Sequence, residues 1–331
     1  MIHYLLPDGF PTQRLPFYLA MEEWVARHIV PGEEGFFTWQ VNPTVIFGRN
    51  QQIDAEVDLD YCRDNGIEAY RRKSGGGCVF ADRSNIMFSY ITASPRPIAE
   101  IFADYTGRIA EMLRSMGIPA ESTGRNDVTI GGRKVSGNAF YLTPSGRSIV
   151  HGTMLYDTDM SHMTRAITPS RSKMESKKVQ SVESRVTMLC RHTEMTIDEF
   201  RDRAEAMLSD SERHLTQADV EEIKEIAESY YTPQWIYGRL SNATHTCRRR
   251  IEGVGDIEAA MRLDREGRIA DINLTGDFFP IADLGPTLLD RLRGVRPKRA
   301  DIENAIAGID VSQVISRMDN DTLVELLSTT E

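Results

Sequence analysis

The chain has 331 residues and a formal net charge of -10 at pH 7, with 40% hydrophobic and 27% charged residues. The composition is that of a globular protein, and the length suits one large domain plus a smaller one, because single cores stop growing near ~250–300 residues. The acidic balance argues against nucleic-acid binding driven by overall charge. No apolar run approaches the ~18 residues of a membrane span, and residues 1–10 lack a signal-peptide pattern, so we expect no membrane and a cytoplasmic location.

Neither the cysteines nor the histidines form a metal-binding pattern. The four cysteines lie far apart and include no CxxC pair, and the seven histidines show neither HxxxH nor HExxH spacing. These spacings disfavour a structural zinc site and indicate free thiols in a reducing compartment.

The start of the chain predicts one helix and two strands. Apolar residues recur at helical spacing over residues 16–29, with Pro16 where it suits a helix start. The β-rich stretches Phe36–Val41 and Thr44–Phe47 predict two strands joined by a turn at Asn42-Pro43.

Strands and a helix alternate over the following hundred residues. Ile86–Ile91 predicts a strand, and the apolar positions of residues 101–116 predict an amphipathic helix that ends near Gly117. Val128–Ile130 and Ile149–Leu155 predict two further strands.

The stretch Thr168–Arg185 differs from its surroundings. It is rich in Ser, Lys and Arg and has few large apolar residues, so it cannot bury much surface. We expect a long loop that could close over a charged ligand, with a simple surface excursion as the alternative.

The character of the chain changes near Thr232-Pro233. Alternating segments at residues 246–251, 257–263 and 269–274 predict three strands, and residues 284–292, 301–306 and 310–327 predict three helices. Strands followed by helices are typical of an α+β module. We therefore predict a larger domain over residues 1–240 and a smaller, accessory domain over 241–331.

A glycine triplet, Gly75–Gly77, follows the cations Arg71, Arg72 and Lys73 and the small residue Ser74. Without Cβ atoms, glycine amides can approach an anion or a thin ligand closely. The alternative is a glycine-rich turn with no ligand. Neither GxxxxGK[ST] nor GxGxxG is present, so the standard phosphate fingerprints give no argument for a nucleotide.

Lys134 stands in what we predict to be a small-residue loop after a short apolar run. A lysine ammonium is a compact charge that could bridge a carboxylate and a phosphate as they approach each other, which lowers the barrier to in-line attack. The alternative is a surface lysine in a turn. Asn126 and Asp127 could hold Mg²⁺ or a phosphate-bound water, although Asn-Asp is also a common turn pair.

Two other side chains have a structural alternative to a functional role. His151 lies on a predicted strand, where a lone histidine is more often a core residue than a catalyst, and no nucleophilic serine or cysteine is evidently paired with it. Cys78 could be reactive if Arg72 stabilised its thiolate, but a small packing residue is the simpler interpretation.

Together, these segments resemble the signature of the lipoate–protein ligase family. The blocks that carry the resemblance are Arg71–Phe80 with Asn85–Phe88, Gly124–Asp127, Lys134–Ala139, His151–Thr153, Ser181–Val186, and Trp235, Tyr237-Gly238 and Gly276–Phe279 in the C-terminal part. The ordered set covers nearly the whole chain, and for that reason it is highly specific.

The resemblance implies a mixed-sheet α/β catalytic domain of the biotin/lipoate ligase-like fold, followed by a smaller α+β domain that swings as the adenylate forms. It implies that lipoate and Mg²⁺-ATP form lipoyl-AMP and pyrophosphate. The lipoyl group would then pass to a lysine of an apo lipoyl domain, as in the E2 subunits of 2-oxoacid dehydrogenases, or of glycine-cleavage H protein.

The resemblance also implies residue roles. Lys134 would be catalytic and would contact both the carboxylate and the α-phosphate, while Asp127 stays the candidate Mg²⁺ ligand on its residue type alone. The nucleotide would be lined by Arg72, Gly77, Cys78, Val79, Phe80, Asn126, Asp127 and Lys134. The lipoyl chain would be flanked by Ser74, Gly76, Lys134, Ser136, Ala139 and His151.

Two departures from the family pattern concern the segment after the glycine triplet. Cys78 stands where alanine is usual, and Ala81 stands where a histidine usually precedes Asp82. The second change removes a polar group near the loop, which leaves the preference between lipoate and octanoate open.

Two alternative functions remain at this point. An octanoyl or lipoyl transferase on the same fold would need a nucleophilic cysteine near the third block, and Ile149–Thr153 contains none. A non-catalytic lipoate or nucleotide binder would use the same pocket without turnover.

Overall fold

A computed structural model of the chain describes residues 1–94, 96–123, 126–167, 185–238 and 243–328. The fold divides into two units. The N-terminal unit comprises Met1–Phe47, Asp54–Arg72 and Cys78–Ile236, and the C-terminal unit comprises Gly48–Ile53, Lys73–Gly77 and Tyr237–Glu331. Two short segments of the first hundred residues, one of them containing the glycine triplet, therefore belong to the C-terminal unit.

The strands that precede residue 215 are β1 (Ile2–Leu5), β2 (Glu34–Trp39), β3 (Thr44–Phe47), β4 (Glu68–Arg71), β5 (Val79–Ala81), β6 (Asn85–Thr92), β7 (Ala120–Ser122), β8 (Asp127–Ile130), β9 (Arg133–Leu142), β10 (Ser148–Leu155) and β11 (Ser211–His214). The helices described before residue 238 are α1 (Leu15–His28), α2 (Ile53–Glu56), α3 (Leu59–Asp64), α4 (Ile98–Ser115), α5 (Met160–Ala166), α6 (Ile197–Leu208), α7 (Gln217–Tyr231) and α8 (Pro233–Tyr237), with a 3₁₀ turn at Leu189–Arg191.

The large sheet of the N-terminal unit is mixed. Among the described residues it has eight strands in the order β11-β1-β2-β6-β10-β9-β8-β7. Strand β1 is parallel to both of its neighbours, and β6, β10 and β9 are antiparallel. Ile91 and Ile149 lie in the core shared with α1 and α7, whereas Tyr90 and Val150, one residue along the same strands, lie in the core shared with α4 and α6. Alternation along the strands thus builds a hydrophobic layer on each face.

Local sequence signals explain where the long helices begin. Helix α1 has proline in its first turn and is buried along Leu15–Ala26, so it packs on the sheet with most of its surface. Helix α6 begins at a capping box of Thr196 and Glu199, and α7 at one of Thr216 and Asp219. The predicted helices at residues 16–29 and 101–116 are confirmed by α1 and α4.

A second, small sheet has the order β4-β3-β5, with β4 parallel and β5 antiparallel to the central β3. The strands that we predicted on either side of Asn42-Pro43 both exist. They do not belong to one sheet, because β2 pairs with β1 and β6 in the large sheet while β3 is the centre of the small one.

The predicted loop around Lys134 is wrong. Lys134 stands on β9, which runs from Arg133 to Leu142 and pairs with β8 on one side and β10 on the other. The small residues Ser136 and Gly137 suggested a loop, but ladder hydrogen bonds to two neighbouring strands override the low strand preference of such residues.

The C-terminal unit contains an antiparallel sheet of β12 (His245–Ile251), β13 (Gly255–Leu263) and β14 (Ile269–Gly276) in that order. A π-helical turn at Gly285–Leu289 leads into α9 (Asp290–Leu292), followed by α10 (Arg299–Ala305), a 3₁₀ turn at Val311–Gln313, and α11 (Asn320–Leu327). These elements share one apolar core. The three predicted strands are confirmed.

The predicted single helix over residues 310–327 is wrong. Asp310 caps the 3₁₀ turn through the amide of Ser312, and Asp319 caps α11 through the amide of Thr322. Between the two, Arg317 has a φ of 64°, a left-handed conformation that interrupts a helix. Two aspartate caps thus start two short helices where the apolar spacing alone indicated one.

Two other expectations concern the stretch Thr168–Arg185 and helices that could span a membrane. Of the stretch Thr168–Arg185, for which we predict a loop, all residues but Arg185 lie outside the described part of the structure. Within the described residues, no helix combines the length and the apolar character that crossing a bilayer requires.

Candidate active site

One face of the large sheet carries a row of polar and small side chains. The register places His151 of β10 directly between Ala139 of β9 and Ser89 of β6. The predicted lipoate contacts Ala139 and His151 are therefore cross-strand neighbours, and cross-strand neighbours on one face have Cβ atoms about 5 Å apart.

A buried carboxylate from α1 holds this histidine. His151 Nδ1 lies 2.9 Å from Glu22 Oε2, and the Ser89 hydroxyl donates to Glu22 Oε1 at 2.5 Å. The indole Nε1 of Trp39 donates to Ser89 Oγ at 2.8 Å. Because a carboxylate only accepts, His151 carries a proton on Nδ1 and its ring orientation is fixed.

Glu22 was missed by the sequence analysis. Glu22 is only 3% exposed. It is one of two adjacent glutamates on α1, and the spacing of the apolar residues there predicted only a helix. The sequence signal that could have singled it out is an acid among the apolar residues of a helix, since a carboxylate that becomes buried needs hydrogen-bond partners.

The ammonium of Lys134 and the carboxylate of Asp127 form an ion pair across β8 and β9. Lys134 Nζ lies 2.8 Å from Asp127 Oδ1, and the side chains are 39% and 31% exposed. Both side chains are thus partly exposed, although the Asp127 oxygen in the pair is itself buried. In register, Asp127 faces Gly137, which itself faces Thr153 of β10.

Asn126 and Ser136 make contacts within the protein. The amide of Asn126 donates to the backbone carbonyl of Asn138 at 3.2 Å, and Asn138 donates back to the carbonyl of Asn126 at 2.9 Å. Ser136 is 2% exposed and pairs in register with Val128 and Met154, which belong to the core under α4. Asn126 thus lies directly before β8, where the pairing of β8 and β9 begins. Ser136 lies in the row of residues that packs into the core under α4.

Arg72 is a desolvated cation at the end of β4. It is 3% exposed, its Nη1 donates to the carbonyl of Ile46 at 2.9 Å, and its amide donates to the carbonyl of Phe47. Burial lowers the pKa of Arg72 to about 10, so the guanidinium stays charged at neutral pH. A cation held in a low dielectric interacts strongly with an anion that approaches it.

Val79 and Phe80 form the start of the small-sheet strand β5, and Cys78 directly precedes it. Val79 pairs with Ile46 and Phe80 with Val45, and Phe80 is buried and stacks at 6.3 Å on His162 of α5. Cys78 is half-buried. Val79 and Phe80 thus lie on an edge strand of the small sheet, with Cys78 just before it.

Ser74, Gly76 and Gly77 belong to the C-terminal unit, where the backbone of the glycine triplet is closely packed. The amide of Gly76 donates to the carbonyl of Phe278 at 3.1 Å, and Gly76 has a φ of 87°. A Cβ on Gly75 would lie 2.6 Å from that same carbonyl oxygen. Close packing at Gly75 and the positive φ of Gly76 therefore already favour glycine at these two positions, whereas a Cβ on Gly77 would meet open space.

Asn85, at the start of β6, is another buried polar residue, and its sequence context did not indicate a role for it. It is fully buried, and its Oδ1 accepts a hydrogen bond from the Thr158 hydroxyl. Its Nδ2 has no partner among the described residues. A buried donor of this kind is one that a bound ligand can satisfy.

Sequence comparisons match both parts of the chain. The family model described as lipoyl protein ligase A/B catalytic domain matches residues 15–209, and that described as bacterial lipoate protein ligase C-terminus matches residues 241–327. The lipoate-protein ligase LplJ of Bacillus subtilis is 32% identical over 321 residues, which cover 93% of this chain and 95% of the relative.

Solved structures match as well. The Plasmodium falciparum protein LipL1 in complex with lipoate superposes with a TM-score of 0.76 at 18% identity over 98% of this chain and 97% of its own. A lipoate-protein ligase A bound with ATP gives 0.60 at 25% identity, over 71% and 97%. A bipartite lipoate protein ligase of Thermoplasma acidophilum, described with its E2 lipoyl domain, gives 0.63 at 26% identity, over 74% and 98%.

The mixed sheet and the α+β C-terminal unit are the biotin/lipoate ligase-like fold, and the protein is an enzyme of the ligase class. Within that class, the chain belongs to the lipoate–protein ligase family. The fold class and the family resemblance predicted from the sequence are confirmed.

Proposed function

We propose that this protein activates lipoate with ATP to lipoyl-AMP and then transfers the lipoyl group to a lysine of an apo lipoyl domain. Its family membership and the relatives that are described with lipoate, with ATP and with an E2 lipoyl domain support this proposal. The observation that carries it is the Lys134–Asp127 pair, a partly exposed ammonium on β9, the strand that also carries Ala139 beside His151.

The first step joins two anions. A lipoate carboxylate oxygen attacks the α-phosphorus of ATP, a P–O bond forms, and the bond to pyrophosphate breaks. The Lys134 ammonium, placed between the carboxylate and the α-phosphate, offsets their repulsion and the charge that develops during attack. In the second step the acceptor lysine amine attacks the carbonyl carbon, AMP leaves, and the amine gives up a proton.

The residues present fit the phosphates and a magnesium ion. Arg72 and Lys134 supply cations of two kinds, one buried and one accessible. Asp127 supplies a carboxylate oxygen and would hold Mg²⁺ together with phosphate oxygens, because Mg²⁺ is usually bound through one or two carboxylates, waters and substrate phosphates. Magnesium, when bound, would neutralise phosphate charge. Asn126 would keep the turn before Asp127 in place through its bonds to Asn138.

On the acyl side, the Glu22–His151 pair would form a fixed polar wall and Ala139 a small one. The roles of Ser74, Gly76 and Ser136 toward lipoate, and of Gly77, Cys78, Val79 and Phe80 toward the nucleotide, stay predictions.

The acceptor follows from the same proposal. An E2 lipoyl domain is favoured because one related ligase is described with such a domain. Glycine-cleavage H protein, the division into a catalytic domain over 1–240 and an accessory domain over 241–331, and the cytoplasmic location all stay predictions.

A cysteine-dependent transferase is less well supported, because the stretch Ile149–Thr153, near which it would need its nucleophile, contains no cysteine. Burial raises the pKa of Cys62 to about 11, and burial and Asp157 raise that of Cys190, so these two thiols are poor sources of thiolate.

The decisive experiment is pyrophosphate release by the purified protein with ATP, Mg²⁺ and lipoate or octanoate, without an acceptor. Release that depends on the acid would support adenylation. A protein that releases none, yet moves an octanoyl group from a donor protein, would refute it.

A further inference from the structure

Gly137 lies under the side chain of Lys134. A Cβ built on Gly137 would stand 2.5 Å from Lys134 Nζ and closer still to Lys134 Cε, with Asp127 Oδ1 at 3.8 Å. Gly137 does not have a positive φ, so its backbone is one that any residue can adopt. The space above this glycine is therefore occupied by the lysine head group.

A bulge in β9 accompanies this arrangement. Val128 pairs with Ser136 and Thr129 with Lys134, so that Val135 is an extra residue on β9 between them. Bulges re-aim side chains and are common beside active sites. The backbone of Lys134 is held by the amide of Thr187, which donates to the Lys134 carbonyl at 2.8 Å.

We propose that Gly137 is a positioning residue for adenylation. Because Gly137 has no side chain, the end of Lys134 can lie over it and the ammonium can reach Asp127. This role rests on the proposed function of Lys134. A methyl group at position 137 would displace the flexible end of the lysine while the strand stays in place, because no real Cβ tolerates a contact below 3.0 Å. The ammonium would then lose its place beside Asp127.

The first test is the variant Gly137→Ala. We expect acid-dependent pyrophosphate release to fall by on the order of 10²-fold, the cost of misplacing a reacting group by about 1 Å. The melting temperature should change by less than about 3 °C, because the flexible lysine yields and the sheet does not. Gly107→Ala is the matched control, since a Cβ at Gly107 meets nothing within 4 Å. Release at the parental rate by Gly137→Ala would overturn the proposal.

A double variant separates positioning from a structural defect. If Gly137 acts through Lys134, then adding Gly137→Ala to Lys134→Ala lowers the residual release no further. An additional loss of about tenfold in that background would mean that Gly137 acts by another route, because coupled residues are non-additive and independent ones add.

A structure of the Gly137→Ala variant gives a readout independent of turnover. We expect Lys134 Nζ to lie beyond ion-pair distance of Asp127, and an ammonium that stays at the parental distance of 2.8 Å would overturn the positioning role. A parent protein without acid-dependent pyrophosphate release would instead refute the proposed function. The two failures are thus distinguishable.

Discussion

His151 and Glu22 meet in the interior of the N-terminal unit, with Nδ1 of the imidazole 2.9 Å from a carboxylate oxygen of the acid. The histidine is 7% and the glutamate 3% exposed. The contact joins β10 to α1 through two residues that are 129 positions apart in the sequence. The ring cannot turn without leaving a buried carboxylate short of a donor, and this fixes the wall that it presents on the sheet face.

Glu22→Gln tests this contact. A neutral amide can still accept a hydrogen bond from the imidazole, but the bond loses its charge assistance, so we expect the free energy of unfolding to fall by about 1 kcal/mol. With the ring less firmly held, kcat/KM for lipoate should fall by roughly tenfold, mostly through KM. Glu221→Gln, on the exposed face of α7, is the control. Unchanged lipoate kinetics would mean that the orientation of His151 does not matter for the acyl chain.

Lys134→Ala tests the cation itself. Removing one preorganised charge from the reacting centre should lower the adenylation rate by on the order of 10²–10³, by analogy with oxyanion donors. Stability should hardly change, because partly exposed ion pairs contribute about 0–1 kcal/mol. Single-turnover formation of lipoyl-AMP is the measurement, and Lys224→Ala, a lysine in an exposed pair on α7, is the control. Lipoyl-AMP formation at the parental rate would refute the role of Lys134. A pure binder, in contrast, would show weaker lipoate binding and no turnover in either form.

The sequence was most informative where chemistry is local. A lysine and an arginine beside small residues indicated a site for anions, and helical spacing predicted α1 and α4. Glu22 could not be paired with His151 from the sequence, because the contact exists only once α1 packs on the sheet. The strand β9 was missed because its pairing on both sides, and not the preferences of Ser136 and Gly137, decides its conformation.

The position of Ala81 leads to a prediction that the family pattern would not give. Ala81 is fully buried on β5 and belongs to the apolar cluster that contains Trp39 and Tyr18, whose rings stack at 5.0 Å. Ala81→His, although it restores the usual family residue, should overpack this cluster and lower the free energy of unfolding by about 1–3 kcal/mol. Urea denaturation is the measurement, and Ala69→His, at a half-buried site in the same small sheet, is the control. Equal stability of Ala81→His and the parent would show that the cluster has room for the imidazole.

Stability should depend on pH through His3 of β1. Burial lowers the pKa of His3 below its ordinary value of 6.5, and Glu205, with an oxygen 3.9 Å from Nε2, opposes that shift only in part. The fold therefore favours the neutral ring. Its contribution is fully present above pH 6.5 and is lost as the pH falls below that value toward the folded-state pKa, because the unfolded chain binds the proton first.

Urea denaturation at several pH values between about 5 and 8 measures this effect. The variant His3→Gln should show a shallower loss of stability on acidification than the parent, and His245→Gln, at an exposed site on β12, should behave like the parent. A parental slope in His3→Gln would assign the acid sensitivity to other groups.

Arg71 should contribute to stability and not to the chemistry, unlike its neighbour Arg72. Its Nε donates to the carbonyl of Trp235 at 2.8 Å and its Nη2 to that of Ile236 at 2.9 Å, while the Trp235 indole donates to the Arg71 carbonyl at 3.0 Å. The guanidinium also lies 4.8 Å from the centre of the Phe47 ring. Burial lowers the pKa of Arg71 to about 10, so it remains a charged donor at neutral pH.

Arg71→Lys keeps the charge but loses the planar fork that reaches two carbonyls at once. We expect the free energy of unfolding to fall by about 1–3 kcal/mol, because a partly buried carbonyl is left without its donor. Arg63→Lys, at a site 70% exposed, should change it by less than about 0.5 kcal/mol. Urea denaturation of the two variants side by side decides the matter. Equal stabilities would mean that water or the lysine ammonium replaces the guanidinium, and that the end of α8 is held by the Trp235 indole and its neighbours instead.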